Sequence, residues 1–319
     1  MQQRRLGRSG LRVSRLGLGT WLWGKDTDEH EARDQLVAFV ESGGTLVDTA
    51  AGYGAGLSEE ILGSLLDDVV DRDELVIATK AGSATVDGQQ VHDTSRGALL
   101  RDLDGSLHRL GCEHVDLWQV EAWSDDAPWE ETLSALDLAV QSGRVRYAGV
   151  SNYRGWQTAL VQAWQSALPQ RTTLVSTQVE YSLLNRGTEA EVIPAAQTLG
   201  MGVLAWAPLG RGVLTGKYRT GTPADSRAAS PHLESTVARY LDDRSRGIVE
   251  AVVRAAEGLS LTPVEVALAW VRDRPGVTAP VVGARTAAQL RGALTVEEVD
   301  LPQEIRAALD DVSGTCPQP

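Results

Sequence analysis

Short apolar runs alternate with amphipathic stretches along the chain. The runs predict strands at residues 15–20, 45–48, 75–79, 115–119, 145–150, 174–179, 202–206 and 277–282. Between them, helical spacing predicts helices at 28–42, 58–66, 95–110, 129–142, 156–165, 189–199 and 263–272, with another starting at 286. In the first helix Ala32, Leu36, Phe39 and Val40 fall on one side. Gly43-Gly44, Gly111 and Gly143 stand where a helix must stop, because glycine accepts the left-handed residue that ends one. Ser58-Glu59-Glu60 brings acids to a first turn, and Pro263 suits another.

Strict strand–helix alternation demands a parallel sheet, because each crossover helix returns the chain to the same edge. Eight such units in one chain of this length predict a closed (β/α)8 TIM barrel, an α/β fold with the helices outside, as a single domain over 1–319. A doubly wound open sheet is the alternative, but no Gly-x-Gly-x-x-Gly follows an early strand. Residues 209–244 hold few periodic apolar positions and much Gly, Arg, Ser and Asp. A segment of that length inside a compact fold usually serves function, so it is expected to strap a ligand at the site end, or else to be a surface insertion.

Four polar groups mark the strand exits. Asp48 and Lys80 end two successive runs, Tyr53 lies just past the first, and Glu121 follows a third. Residues at the C-terminal ends of barrel strands face one mouth, so these predict one polar site.

Composition narrows the partners. A net charge of −13 leaves no basic stripe for phosphates, which excludes nucleic acid and an acidic membrane surface. Cys112 and Cys316 have no metal spacing and read as free thiols in a reducing compartment, with no metal expected. No apolar run is long enough to span a bilayer, and the basic start is not followed by a signal-like apolar stretch. A cytoplasmic protein is expected, monomeric by default. Nine tryptophans accompany one phenylalanine. Trp21, Trp23 and Trp123 fall near the site end and are expected to line a substrate pocket for a flat ligand, ordinary packing being the alternative.

Several motifs, in order, resemble the aldo-keto reductase superfamily. They are Gly-Gly-Thr-Leu-Val-Asp-Thr-Ala (43–50) with Tyr53, Ala-Thr-Lys (78–80), Val-Asp-Leu-Trp-Gln (115–119), Gly-Val-Ser-Asn (149–152), Thr-Gln-Val-Glu-Tyr-Ser (177–182), Ala-Pro-Leu-Gly-Arg-Gly-Val-Leu-Thr-Gly-Lys-Tyr (207–218) and Val-Val-Gly-Ala-Arg (281–285). The resemblance implies NADPH bound across the barrel mouth and hydride transfer to a small-molecule carbonyl. It implies Tyr53 as general acid, Lys80 beside it and Asp48 as the partner of Lys80. Ser151, Asn152 and Gln178 would hold the nicotinamide amide, and Trp206 would stack on its ring. Leu209, Gly210, Gly212 and Lys217 would run along the pyrophosphate. Arg285 and Gln289 would meet the adenosine 2′-phosphate, with Thr20 and Gly283 completing the groove. Gly292-Ala293 replaces the Glu-Asn that relatives often carry near adenine.

The chemistry explains these residue types. A carbonyl that accepts hydride needs a proton, and a tyrosine of pKa about 10 is a weak donor. An ammonium roughly 4 Å away, at an effective dielectric near 20, favours the phenolate by about 4 kcal/mol. That is about three pKa units before desolvation opposes it. Three glycines between Leu209 and Lys217 allow backbone N–H groups to approach phosphate.

Glu121 departs from the family pattern, where a histidine usually stands. A glutamate in a partly apolar mouth near another acid should have a raised pKa. Protonated, it donates a second hydrogen bond and leaves room for a deeper substrate, which suits C=C reduction as in the steroid double-bond reductases of this superfamily. Ionised, it suits an iminium ion. C=O, C=C and C=N reduction all stay open, as does a tolerated replacement that only weakens carbonyl turnover. The stretch 203–218 is also similar to potassium-channel β-subunits, so an NADPH-binding regulatory subunit is the second reading, and a bare scaffold the third.

Overall fold

The structure is a computed structural model that describes residues 1–86, 89–224 and 226–314. Cys316 lies outside the described residues. Cys112 is a free thiol.

The chain opens with a two-stranded antiparallel hairpin, β1 (Gln3–Arg5) and β2 (Arg12–Ser14). Eight strands then close a parallel barrel in the order β3 (Gly17–Gly19), β4 (Leu46–Asp48), β5 (Val76–Ala81), β8 (Val115–Val120), β9 (Val145–Ser151), β10 (Leu174–Glu180), β11 (Gly202–Trp206) and β12 (Val277–Val282), which returns to β3. The two labels skipped belong to a hairpin beyond β5, β6 (Ser83–Val86) with β7 (Gln89–His92). The eight strands expected from the apolar runs are the eight staves of the barrel.

Helices α1 (Glu29–Glu41), α2 (Leu57–Leu65), α3 (Arg96–Leu110), α4 (Trp129–Gln141), α5 (Gly155–Ser166) and α6 (Val192–Leu199) follow the first six staves. Beyond β11 come α7 (Glu234–Ala238), α8 (Asp243–Leu259) and α9 (Pro263–Arg272), and beyond β12 α10 (Ala287–Leu294) and α11 (Gln303–Ser313). Several helix starts carry side-chain caps. The Asp28 and Ser95 side chains accept from Glu31 N and Ala98 N, and Thr262 forms a reciprocal box with Glu265. Gly111, at φ +64°, closes α3.

Two apolar layers hold the barrel. Leu46, Ala78, Leu117, Leu204 and Ala279 fill its interior, and Leu6, Leu11 and Val13 of the opening hairpin plug that cluster. Between staves and helices lies a larger layer that includes Leu36, Phe39, Ile77, Leu103, Trp118, Leu136, Val203 and Val252. Because the hairpin plugs the interior, chemistry is left to the opposite mouth, where the strands end.

The structure adds elements that the apolar pattern did not predict: both hairpins, α7, α8 and α11. Glu59 is the expected first-turn acid of α2 and is also fully buried. It pairs with Arg109 at 2.6 Å and accepts from Thr79 Oγ1. The segment 209–244 is partly helical, with 3-10 turns at Gly210–Thr215 and Arg227–Ala229 before α7.

Candidate active site

Parallel register brings the strand exits level. Asp48 pairs with Ala78, two residues before Lys80, and Lys80 pairs with Gln119, two before Glu121. Ser151 pairs with Gln178, and Glu180 with Trp206. Residues separated by over a hundred positions therefore share one mouth.

Tyr53 reaches the mouth from a tight turn. Gly54, Ala55 and Gly56 all have positive φ, at 60°, 57° and 100°. A side chain at Gly56 would be strained and would also meet Arg109 Cδ at 2.8 Å, so glycine is required there. The turn holds the phenol oxygen 3.2 Å from Lys80 Nζ. Lys80 donates in turn to Asp48 Oδ2 at 2.7 Å and to the Thr49 carbonyl at 2.9 Å. Asp48 also accepts from Gln178 Nε2 at 2.7 Å. Lys80 and Asp48 are buried.

Electrostatics corrects the expectation for Tyr53. Burial drives its phenol well above the ordinary value; Lys80 pulls it down, while Asp48 and Glu121 push it back up. The net direction is upward, so the lysine does not create a phenolate. Burial would also lower Lys80, but Asp48 outweighs it with help from Tyr53 and Glu121, and the ammonium is held above its usual range. Its charge is largely spent on the carboxylate 2.7 Å away. The phenol therefore carries its proton and has a cation beside it to steady an anion formed on donation.

Glu121 follows β8, its backbone N–H bonded to the Ala81 carbonyl at 2.9 Å. Burial raises its carboxyl, Lys80 lowers it, and Asp48 and Asp102 raise it further, to about 7. At neutral pH it is thus divided between acid and carboxylate.

A second group of side chains forms a ledge. Ser151 Oγ donates to the Gln178 carbonyl at 3.1 Å. Asn152, strained at φ +58°, donates from Nδ2 to the Glu121 carbonyl at 2.9 Å. Trp206 Nε1 donates to Asn152 Oδ1 at 2.9 Å, which fixes the half-exposed indole at the mouth. Beyond it the chain enters left-handed backbone at Ala207, Gly210, Arg211, Gly212 and Gly216. Gly210 packs against Leu184, so a Cβ there would meet Leu184 Cδ1 at 2.6 Å. Leu209 is half-buried beside it, and Lys217 is exposed at the loop's end. Arg285 N donates to Gln289 Oε1 at 3.0 Å, at the start of α10.

Arg227, in the strap, is half-buried, and its guanidinium lies 3.5 Å from the Gly283 carbonyl. Burial lowers it to about 10, and Arg211 and Arg285 repel it further. Arg227 and Arg285 beside a left-handed, glycine-bearing loop fit a pyrophosphate, which needs N–H donors and positive charge. The sequence reading assigned Arg227 no role; one arginine in a polar segment carries no signal until the strap folds back. Arg211, inside the 207–218 motif, carries no such signal either.

One expected contact is corrected. Trp23 is fully buried and donates from Nε1 to Gln35 Oε1 at 3.1 Å, so it packs the core and lines no pocket. Thr20 is fully buried, as Ser151 and Gln178 are. Its hydroxyl lies 3.2 Å from the Asp48 carbonyl and 2.6 Å from Ser58 Oγ. Trp21 stays partly exposed at the rim. Trp123 packs edge-on against Tyr153 and Trp156, at 5.2 and 5.6 Å between ring centres.

A parallel barrel thus carries an Asp48–Lys80–Tyr53 chain of hydrogen bonds at its mouth. The Aldo/keto reductase family model matches residues 15–313, and the chain belongs to that family. It is 39% identical to the oxidoreductase YrpG of Bacillus subtilis, over 98% of this chain and 96% of that protein. It is 36% identical to a probable voltage-gated potassium channel subunit beta of Oryza sativa, over 89% and 87%. It is also 36% identical to an L-glyceraldehyde 3-phosphate reductase of Escherichia coli, over 91% and 86%. The protein is an oxidoreductase of a family that works with NAD(P)H on small molecules. No helix among the described residues is long and apolar enough to cross a membrane.

Proposed function

We propose that this protein is an NADPH-dependent reductase of a small to medium, cyclic or otherwise flat substrate, with Tyr53 as general acid. The observation that carries the reading is the 3.2 Å contact between the Tyr53 phenol and Lys80, whose ammonium is pinned by Asp48 at 2.7 Å. A bound reduced nicotinamide supplies the hydride. Ser151, Asn152 and Gln178 would hold its amide, and Trp206 would cover one ring face. Tyr53 gives its proton to the oxygen that gains negative charge, and Lys80 steadies the phenolate left behind. Protonated Glu121 donates a second hydrogen bond to the same oxygen, or lets an enone seat its β-carbon at the hydride position. Arg285 favours the 2′-phosphate and hence NADPH. A single cytoplasmic, monomeric barrel domain is part of this proposal.

The channel-β-subunit relative keeps a second reading in view, a dinucleotide-binding regulatory subunit with little turnover. The intact relay speaks against it, since pure binding needs no proton donor. The test is NADPH oxidation, followed by absorbance, against aldehydes, enones and cyclic imines. Turnover of at least one class is expected. Tyr53→Phe should lower the carbonyl rate about 10²- to 10⁴-fold with NADPH affinity kept. Tight NADPH binding with no turnover of any class overturns the reductase.

A further inference from the structure

Arg211 and Arg227 both lie over the Trp21 ring, at 5.7 and 6.0 Å, but lean toward different strands. The Arg211 guanidinium is also 5.2 Å from the Trp206 ring. Its backbone is left-handed, at φ +56°, and the next residue, Gly212, is at +92°. The side chain is thus aimed by a rigid turn rather than by a flexible loop. Its Nε is buried and has no hydrogen-bond partner. Glu180 is near, but 3.6 Å from that nitrogen, too long for a hydrogen bond. That carboxylate is already in use: Arg239 donates to both its oxygens, at 2.6 and 2.5 Å, and Tyr240 to one, at 2.9 Å. Two guanidiniums therefore share one carboxylate, and Arg211 has the weaker hold.

Strand order gives the direction. Arg211 leans toward Glu180 at the end of β10, whereas Arg227 leans toward Gly283, just past the end of β12. Trp206, at the end of β11, lies between those two strands. The β12 side carries Arg285 and Gln289; the β10 side continues through β9 to β8 and Glu121. A guanidinium whose buried Nε has no acceptor, and which leans to the β10 side of the mouth, calls for an anion brought by the substrate.

We infer that Arg211 reads a carboxylate on the substrate, carried beside the bond that is reduced. This deepens the reductase reading and rests on it for the word substrate, though the anion site itself does not. A planar carboxylate beside the two indoles can take two parallel N–H bonds from one guanidinium. The preferred substrate is then an aromatic or short-chain oxo acid, or an unsaturated acid.

Two measurements test this on the full-length protein. The first is binding of benzoate, a non-reducible probe, in the presence of NADPH, read by quenching of tryptophan fluorescence. Arg211→Gln should weaken benzoate about tenfold or more, and Arg211→Lys by less, because the charge stays and the paired geometry goes. The second is the ratio of kcat/KM for 4-carboxybenzaldehyde to that for benzaldehyde, which should fall by a similar factor in Arg211→Gln. An unchanged benzoate affinity overturns the inference. So does a loss of NADPH affinity matching the loss of benzoate, since Arg211 would then serve the cofactor. Phenyl phosphate binding more tightly than benzoate through Arg211 also overturns the carboxylate assignment. If no carbonyl turns over but benzoate binding needs Arg211, the reductase reading fails and the anion site stands.

Discussion

Glu121 carries the least familiar chemistry at the scale of single residues, and pH exposes it. Its carboxyl sits near about 7, above the usual glutamate value, chiefly through burial. Activity that needs Glu121 as a donor should therefore fall as pH rises through about 7. Glu121→Gln, a permanent donor, should remove that limb of the profile. Stability follows the same sign. A raised native pKa means that the folded state holds its proton more tightly, so that stability is full below the unfolded value of about 4.5 and is lost as pH climbs through about 7. Glu121→Gln should thus melt higher than wild type at about pH 8, and close to it at about pH 4; equal shifts at both would remove Glu121 from the titration. Glu121→His should raise aldehyde reduction and lower any alkene or imine reduction; an unchanged substrate profile would deny Glu121 a special role. At this scale the relay was legible in the sequence, because Asp48, Lys80 and Glu121 close apolar runs whose register is set by barrel closure. Trp23 was not, because proximity to a strand end does not reveal which way an indole turns. Nor was the rise in the Tyr53 pKa, since it depends on burial and on how fully Asp48 occupies Lys80.

Elements were legible where the period was clean. All eight staves are short, buried on both faces and bounded by turn residues, so their apolar runs stand out. Helix α8 was missed although Ile248, Val249, Val252, Val253 and Ala256 are buried along it. Its core residues are small, its other face is highly charged, and it is an extra helix that alternation does not require. The opening hairpin escaped because its strands are three residues each. One prediction belongs here. Helices α2 and α3 and strand β5 meet at Glu59, which is fully buried and held by Arg109 and Thr79. Arg109→Met leaves that carboxylate without its cation while keeping the side-chain bulk beside Gly56. The loss should be about 3–5 kcal/mol in urea unfolding, the usual cost of stranding a buried charge. Glu59→Gln with Arg109→Met should recover part of it, because no charge then remains to be buried. A loss below about 1 kcal/mol in the single variant would mean that the pair is a surface contact.

The barrel as a whole should couple ligand to stability, because the proposed groove draws on distant parts of the chain: Trp206 on β11, the segment that carries Arg227, and Arg285 before α10. A dinucleotide that bridges them binds the folded state and not the unfolded one. At a hundredfold excess over its dissociation constant, it should add about 2.7 kcal/mol. For a chain of 319 residues, an unfolding entropy near 2.1 cal/mol/K per residue turns that into a Tm rise of about 4 °C. NADPH should give the larger rise at equal concentration if Arg285 meets the 2′-phosphate, and Arg285→Ala should bring the NADPH shift down to that of NADH. Arg227→Ala should instead reduce both shifts together, since a pyrophosphate is common to the two. The pattern separates the two arginines without any turnover. Equal loss for both dinucleotides in Arg285→Ala would remove that residue from 2′-phosphate recognition, and an unchanged pair of shifts in Arg227→Ala would take the strap out of the groove.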